Sequence, residues 1–304
     1  MKEAKMDILS KVSPSTGTGS PRVVGFYEPV SGSCQYIAIC EATRKAALID
    51  VVLNFDAAAA RTSTDHAQWA LDYLDREGLE LEWILDTHPH ADHLMASAWL
   101  KAQTGRPTAI GEKVRDIAGL WREIYHMPDA FDPDADFDRL FAHGDTFRVG
   151  ECDGRVMLSP GHTLGSVTYV IGDAIFAHDT FMQPDVGTAR CDFPGGSARD
   201  LYASLTAILD HPDGHRIFIG HDYGTDGRDE PAWESTVAEQ KASNKHLGGG
   251  IPEDEYVEIR ETRDATLGLP KQMLHALQVN LRGGRLPEPE ADGHSYFKIP
   301  ANRF

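Results

Sequence analysis

From Val23 onward the chain alternates short apolar runs with stretches in which apolar residues recur every three or four positions. Residues 35–40 (QYIAIC) and 46–52 (AALIDVV) are compact apolar runs split by the polar EATRK, a pattern that predicts a hairpin. In residues 64–78, Ala67, Ala70, Leu71 and Leu74 fall at helical spacing, and Gly78 supplies a stop. Residues 81–85 predict a short buried strand, and residues 93–104 a second helix ended by Gly105. Residues 145–158 read as two strands around the turn Cys152-Asp153-Gly154, and 167–171 with 174–177 as a pair across Gly172-Asp173. A helix over 198–210 and a strand over 216–220 follow. Strands alternating with helices of this length predict an α/β domain. The sequence carries no repeat of solenoid period.

The flanks read differently. Residues 10–21 are rich in Ser, Thr, Gly and Pro, so 1–22 is expected to be a flexible lead-in to a main domain over 23–245. Residues 128–138 (PDAFDPDADFD) form an acidic stretch, either a solvated loop or a lid over a cleft. In the remaining appendage, 246–304, residues 272–281 look helical and 287–304 extended, with a further helix predicted just before it over 234–246. The tail is either packed on the main domain or a dimerisation element, which leaves a homodimer open.

Composition narrows the classes. With 41% hydrophobic residues in 304, the chain can bury a core and is not a disordered segment. Its 29 basic against 47 acidic residues give a net charge of −18, which argues against a broad nucleic-acid surface. No apolar run approaches the ~20 residues of a membrane-spanning helix, and the first residues lack an apolar stretch of signal-peptide length. Four cysteines without a C-x-x-C pair do not form a disulfide framework. The expectation is a cytoplasmic protein with neither nucleic-acid nor membrane partners.

The informative segment is Asp86-Thr87-His88-Pro89-His90-Ala91-Asp92-His93, at the predicted end of a strand. Imidazole and carboxylate are the ordinary ligands of zinc and of non-haem iron. On an extended run, residues two apart point the same way, so His88 and His90 can grip one ion while Asp92 and His93 address a neighbouring position. Three further candidates follow predicted strands: His162 in Pro160-Gly161-His162-Thr163, Asp179, and His221. Strand ends are where α/β folds place their sites.

This order, H-x-H-x-D-H, G-H-T, an Asp after a strand, then G-H-D-Y, resembles the metallo-β-lactamase superfamily over roughly residues 24–245. The resemblance implies a four-layer αββα sandwich with metal at one edge of two sheets. It allows two ions, His88, His90 and His162 on one and Asp92, His93 and His221 on the other, with Asp179 bridging. Among subfamilies, the glutathione persulfide dioxygenases are similar in residues 86–93, in 160–163, in GTARCDFPGG (187–196) and in His221-Asp222-Tyr223. That likeness implies one Fe(II) per chain on His88, His162 and Asp179, a triad with positions open to O2 and a thiolate. It leaves His90, Asp92, His93 and His221 to orient ligands and water, with Asp92 and His221 closest to the chemistry. Arg190 and Tyr223 are then expected to anchor a thiol carrier, probed first with glutathione. The glyoxalase II-like thioester hydrolases, which use two zinc ions, are the second reading. A metal-binding or redox-sensing protein without turnover is the third.

Some residues carry alternatives. His178 stands where the dioxygenases usually carry Gly; its ring either crowds the site, donates to it or turns away. Residues 181–189 are longer than their counterpart. Cys191, beside Arg190, is a candidate activated thiol. Cys34 and Cys40 read as core. His66, His126, His143, His211, His215, His246, His275 and His294 read as exposed or locally bonded.

Overall fold

The computed structural model describes residues 8–304. Two sheets lie face to face with helices on their outer sides, the αββα arrangement expected. The first sheet has seven strands in the spatial order Ser10–Ser13, Arg22–Glu28, Ser33–Cys40, Lys45–Ile49, Glu80–Leu85, Thr108–Gly111 and Arg139–Phe141. The second has six: Thr146–Val149, Cys152–Leu158, Val167–Ile171, Ala174–His178, Arg216–Ile219 and Glu234–Thr236. The chain thus completes one sheet before it starts the other.

Side-chain alternation builds the layers. Along Ser33–Cys40, Cys34, Tyr36, Ala38 and Cys40 point into the core between the sheets, where they meet Val156, Tyr169 and Phe176. Ile37 and Ile39 point the other way, onto Ala67, Ala70 and Leu74 of the Asp65–Glu77 helix. With both faces covered, the strand is buried along its whole length, which is why it reads as a continuous apolar run. On the far side, Leu201, Leu205 and Ile208 of the Ala198–Leu209 helix cover the second sheet. Cys34 and Cys40 are core residues, as their spacing predicts.

Several elements depart from expectation. Part of the lead-in is strand: Ser10–Ser13 pairs antiparallel with Arg22–Glu28. The loop after it is fastened by Asp173, which accepts hydrogen bonds from Thr16 and Ser20, and by buried Arg216, which donates to the Pro14 and Pro21 carbonyls. Local composition signals backbone freedom but is blind to partners some 150 residues away. Residues 1–7 of the lead-in lie outside the described residues. The second helix spans only Ser97–Thr104, because Leu94–Met95 pairs with Val52–Asp56 in a small third sheet. The 145–158 turn falls at Gly150, whose φ of +57° suits glycine, rather than at Cys152-Asp153-Gly154. Glu234–Thr236 joins the second sheet, and Thr236 then caps the Val237–Ser243 helix with a capping box. Helices at Val114–Tyr125 and Glu253–Asp264 were not predicted. No helix of the described residues is long and apolar enough to cross a membrane.

The tail packs against the main domain. Ala276 and Val279 of the Met273–Asn280 helix join the Ile37–Leu74 core, and Met273, Leu277 and Leu281 join Trp121 and Tyr125.

Candidate metal centre

Five strand ends converge at one rim of the sandwich. Asp50 follows Lys45–Ile49, His88 to His93 follow Glu80–Leu85, and His162 follows Cys152–Leu158. Asp179 follows Ala174–His178, and His221 follows Arg216–Ile219. All the metal candidates named from the sequence meet here. His88 Nε2 and His162 Nε2 lie 3.6 and 3.5 Å from the same oxygen, Asp179 Oδ2. Two atoms each about 2.1 Å from a shared ion at tetrahedral or octahedral angles lie about 3.0–3.4 Å apart, so each of these nitrogens is near the spacing at which it could share an ion with Asp179; His88, His90 and Asp179 also offer ligand atoms within 4.8 Å of one another. His90, Asp92, His93 and His221 form an adjoining cluster whose ligand atoms lie within 4.8 Å of one another.

The donor set fits a metal. His88 Nε2, His90 Nδ1 and His93 Nε2 are buried without a hydrogen-bond partner. Leaving such groups unpaired costs about 1–3 kcal/mol each, a cost that a coordinated cation removes. Burial, first, and the neighbouring imidazoles hold His88 well below its ordinary value; burial also lowers His162 and takes His93 down to about 4. These rings are therefore neutral at pH 7, the form that ligates.

Around the ligands, hydrogen bonds fix orientation. His162 Nδ1 donates to the Arg190 carbonyl at 2.8 Å, which turns its Nε2 toward Asp179. The Gly161 before it has φ +128°, and a Cβ there would sit 2.3 Å from the backbone of Leu201, so only glycine lets this loop tuck under the helix. Asp179 is divided: Oδ2 faces His88 and His162, while Oδ1 accepts from His221 Nδ1 at 2.6 Å. The other nitrogen of His221 lies 2.5 Å from Asp92 Oδ2. Burial opposes charge on His221, yet Asp179 and Asp92 hold its imidazole well above the ordinary value. The Ser33 hydroxyl lies 2.9 Å from His93 Nδ1 and 3.2 Å from His221 Nε2. Gly220 abuts Asp179; a Cβ there would lie 2.4 Å from Oδ1.

Sequence reasoning missed two supports. Asp50, buried with φ +50°, accepts from the Thr87 backbone and hydroxyl at 2.8 Å and lies 3.2 Å from His90 Nε2. An acid closing the apolar run AALID is its only trace in the sequence. Asn280, from the tail helix, donates to the His90 and His93 carbonyls and accepts from the Met95 amide, each at 2.8 Å. Nothing local distinguishes Asn280 from any polar residue at a helix end.

The alternatives left open also resolve. His178 neither coordinates nor turns away: its Nε2 bonds Ser159 and Thr180 hydroxyls, and its ring lies 5.3 Å from that of His88. It has φ +42°, a strained value for a non-glycine residue at the glycine position of the dioxygenases. Cys191 is not an activated thiol. Burial, with Asp264 accepting from its Sγ, pushes it up to about 12; Arg190 is turned away onto Asp192.

A cleft of about 950 Å³ opens above Asp92, His162 and Asp179. Tyr223, 63% exposed, lines it, with its ring stacked on His221 at 5.8 Å. Arg190 lines it too, but its fork is closed on Asp192 at 2.6 and 2.7 Å and its third nitrogen donates to the Gly268 carbonyl, so it is not free for a substrate carboxylate. Lys245 and Arg263 line the same cleft from the C-terminal side and are exposed. No residue of the acidic stretch 128–138 lines it, so that stretch is not its lid. His66 bonds Asn54, and His246 accepts from the Thr188 amide at the cleft wall.

A four-layer sandwich with histidines and aspartates gathered at its rim defines a metallo-β-lactamase-type fold, and the chain belongs to the metallo-beta-lactamase superfamily, whose model matches residues 29–221. It is 56% identical over 283 residues to a beta-lactamase hydrolase-like protein of Xylella fastidiosa (strain Temecula1 / ATCC 700964), which covers 93% of this chain and 65% of that one. The chain therefore spans just under two thirds of that relative's length. It is 42% identical to glyoxylase B2 of Dictyostelium discoideum, over 91% of this chain and 96% of that protein. It is 29% identical to the human mitochondrial persulfide dioxygenase ETHE1, over 93% and 98% respectively.

Proposed function

We propose that the protein oxidises a thiol-bound persulfide to sulfite with O2, using one Fe(II) held by His88, His162 and Asp179. The balance is RSSH + O2 + H2O → RSH + H2SO3: the sulfane sulfur loses four electrons, and O2 takes up the four. The observation that carries this reading is the divided Asp179 carboxylate. One oxygen faces the two histidines, and the other is engaged by His221 Nδ1 at 2.6 Å. Resemblance to the dioxygenases in residues 86–93, 160–163 and 187–196 supports it, as does the relative named a persulfide dioxygenase.

When bound, ferrous iron supplies a redox centre at which a thiolate and O2 can meet. The chain does the rest. Asp92 and Asp179, which line the cleft, hold the buried His221 between them, so its two ring nitrogens fix the orientation of both carboxylates. Tyr223 covers the solvent side of His221. With Arg190 engaged, Lys245 and Arg263 are the cations left to receive the carboxylates of a carrier such as glutathione.

A second reading has its own support. The cluster of His90, Asp92, His93 and His221 could hold a second ion; the resemblance to the glyoxalase II-like hydrolases implies two-zinc thioester hydrolysis, and a relative named glyoxylase B2 is in keeping with it. Metal analysis with oxygen uptake separates them. One iron per chain and oxygen consumption with glutathione persulfide are expected. Two zinc ions with cleavage of lactoylglutathione and no oxygen uptake would replace the first reading by the second.

A further inference from the structure

Beside His162 lies a second, smaller cavity of about 20 Å³. That is room for about one molecule the size of water. Ile117 and Trp121 of the Val114–Tyr125 helix, Met273 and Leu277 of the tail helix, and Pro89 and Phe193 form its walls. Only two polar side chains reach it, and both are already bonded. Thr163 Oγ1 is bonded to Ser166 Oγ at 2.6 Å. His162 uses Nδ1 on the Arg190 carbonyl and aims Nε2 at Asp179.

A buried water needs two to four polar partners, and cavities that lack them stay dry and take up apolar guests such as xenon. Beyond its bond to Ser166, the Thr163 hydroxyl is the one side-chain group here with capacity to spare, short of the two partners a buried water needs. It is too small for a thiol carrier, and its walls offer an anion nothing. It borders the metal centre, because His162 is one of its walls. His162, Ala91 and Phe193 line both this cavity and the large cleft. The Phe193 ring stands nearly perpendicular to that of His162, centroids 5.3 Å apart, and Arg190 lies over it at 4.7 Å. One aromatic ring thus parts a wet, cationic cleft from a dry pocket, and both abut the same ligand.

We propose that the cavity walled by Ile117, Trp121, Phe193, Met273 and Leu277 is a dioxygen pocket, which delivers the small apolar co-substrate past His162 while the charged persulfide arrives through the cleft. The proposal rests on the dioxygenase reading. It gives the tail a function in catalysis, since two of the walls come from the Met273–Asn280 helix. It also accounts for how two substrates of opposite polarity reach one centre without competing for one entrance.

The test uses the iron-loaded protein. Crystals pressurised with xenon should show it between Trp121 and Leu277, and Leu277→Trp should abolish that peak. In oxygen-electrode kinetics, Leu277→Trp should raise the KM for O2 by roughly three-fold or more, with the KM for glutathione persulfide unmoved. Ile117→Phe, which fills the pocket from a different helix, should do the same, so a folding failure of one variant leaves the other. If the wild-type protein consumes oxygen but neither variant shifts its oxygen KM, or if xenon stays out, the pocket has no such role and the dioxygenase reading survives. If the wild-type protein consumes no oxygen with persulfide, the dioxygenase reading fails and this proposal with it.

Discussion

Replacing Asn280 by Ala should weaken both the fold and the metal centre, although Asn280 touches no ligand side chain. Its amide makes three buried hydrogen bonds of 2.8 Å, two to carbonyls within the His88–His93 segment and one from the Met95 amide. At a net of about 1 kcal/mol each, their loss costs about 3 kcal/mol, and the three orphaned backbone groups push the cost higher. At about 2.1 cal/mol/K per residue, a chain of this length has an unfolding entropy near ~0.6 kcal/mol/K, so the melting temperature should fall by about 5 °C. Asn280→Asp keeps the acceptor for Met95 but sets a carboxylate against two carbonyls, so it should fall further. The assay is thermal unfolding of apo and metal-loaded protein, with metal content by elemental analysis. The loop carrying His88, His90 and His93 would be less ordered, and metal affinity should drop about 10–100-fold, as for other lost ligand-orienting bonds. An Asn280→Ala protein that melts within about 1 °C of wild type and keeps its metal would refute the reasoning.

Other predictions follow from the same geometry. Gly220→Ala puts a Cβ 2.4 Å from Asp179 Oδ1 and should displace that carboxylate, abolishing metal retention with the fold intact by circular dichroism. On the one-ion reading, His88→Ala should lose the metal, whereas Asp92→Ala should keep it and lose turnover; equal metal loss in both would favour two ions. Lys245→Ala and Arg263→Ala should each raise the KM for glutathione persulfide with kcat nearly unchanged, and Arg190→Ala should cost thermal stability more than substrate affinity. His246 is held by burial down to about 4, from an ordinary 6.5, so it is neutral in the fold and charged in the unfolded chain below 6.5. Its stabilising contribution is complete above that value and is lost as pH falls toward 4; His246→Gln should reduce the fall in the urea midpoint between pH 7 and about 5.

The convergence of the candidate ligands was legible because chemistry and period coincide. His88, His90, Asp92 and His93 sit together, and His162, Asp179 and His221 each follow an apolar run that can only be a strand. The strand Ser33–Cys40 was legible because burial on both faces leaves an unbroken apolar run. What stayed hidden depends on distant partners. Asn280, Asp50 and Ser33 look like ordinary polar residues until the fold sets them against the ligand loop. Arg190 resembles an anion-binding residue, but its neighbour Asp192 occupies its fork. The Val114–Tyr125 helix is a different case. Val114, Ile117, Ala118, Trp121 and Tyr125 keep helical spacing, so its signal is local and present in the sequence.

The order in which the sheets are built has a consequence for how the protein acquires its ion. His88 to His93 leave the ribosome with the first sheet, whereas His162 and Asp179 belong to the second. A nascent chain that has emerged only as far as residue 141 holds half a socket, with His88 present but His162 and Asp179 still to come. On the proposed ligand set, loading waits on docking of the two half-sandwiches, and a bound ion would act as a bolt between them. Chelators should loosen the seam between the sheets before they loosen either sheet.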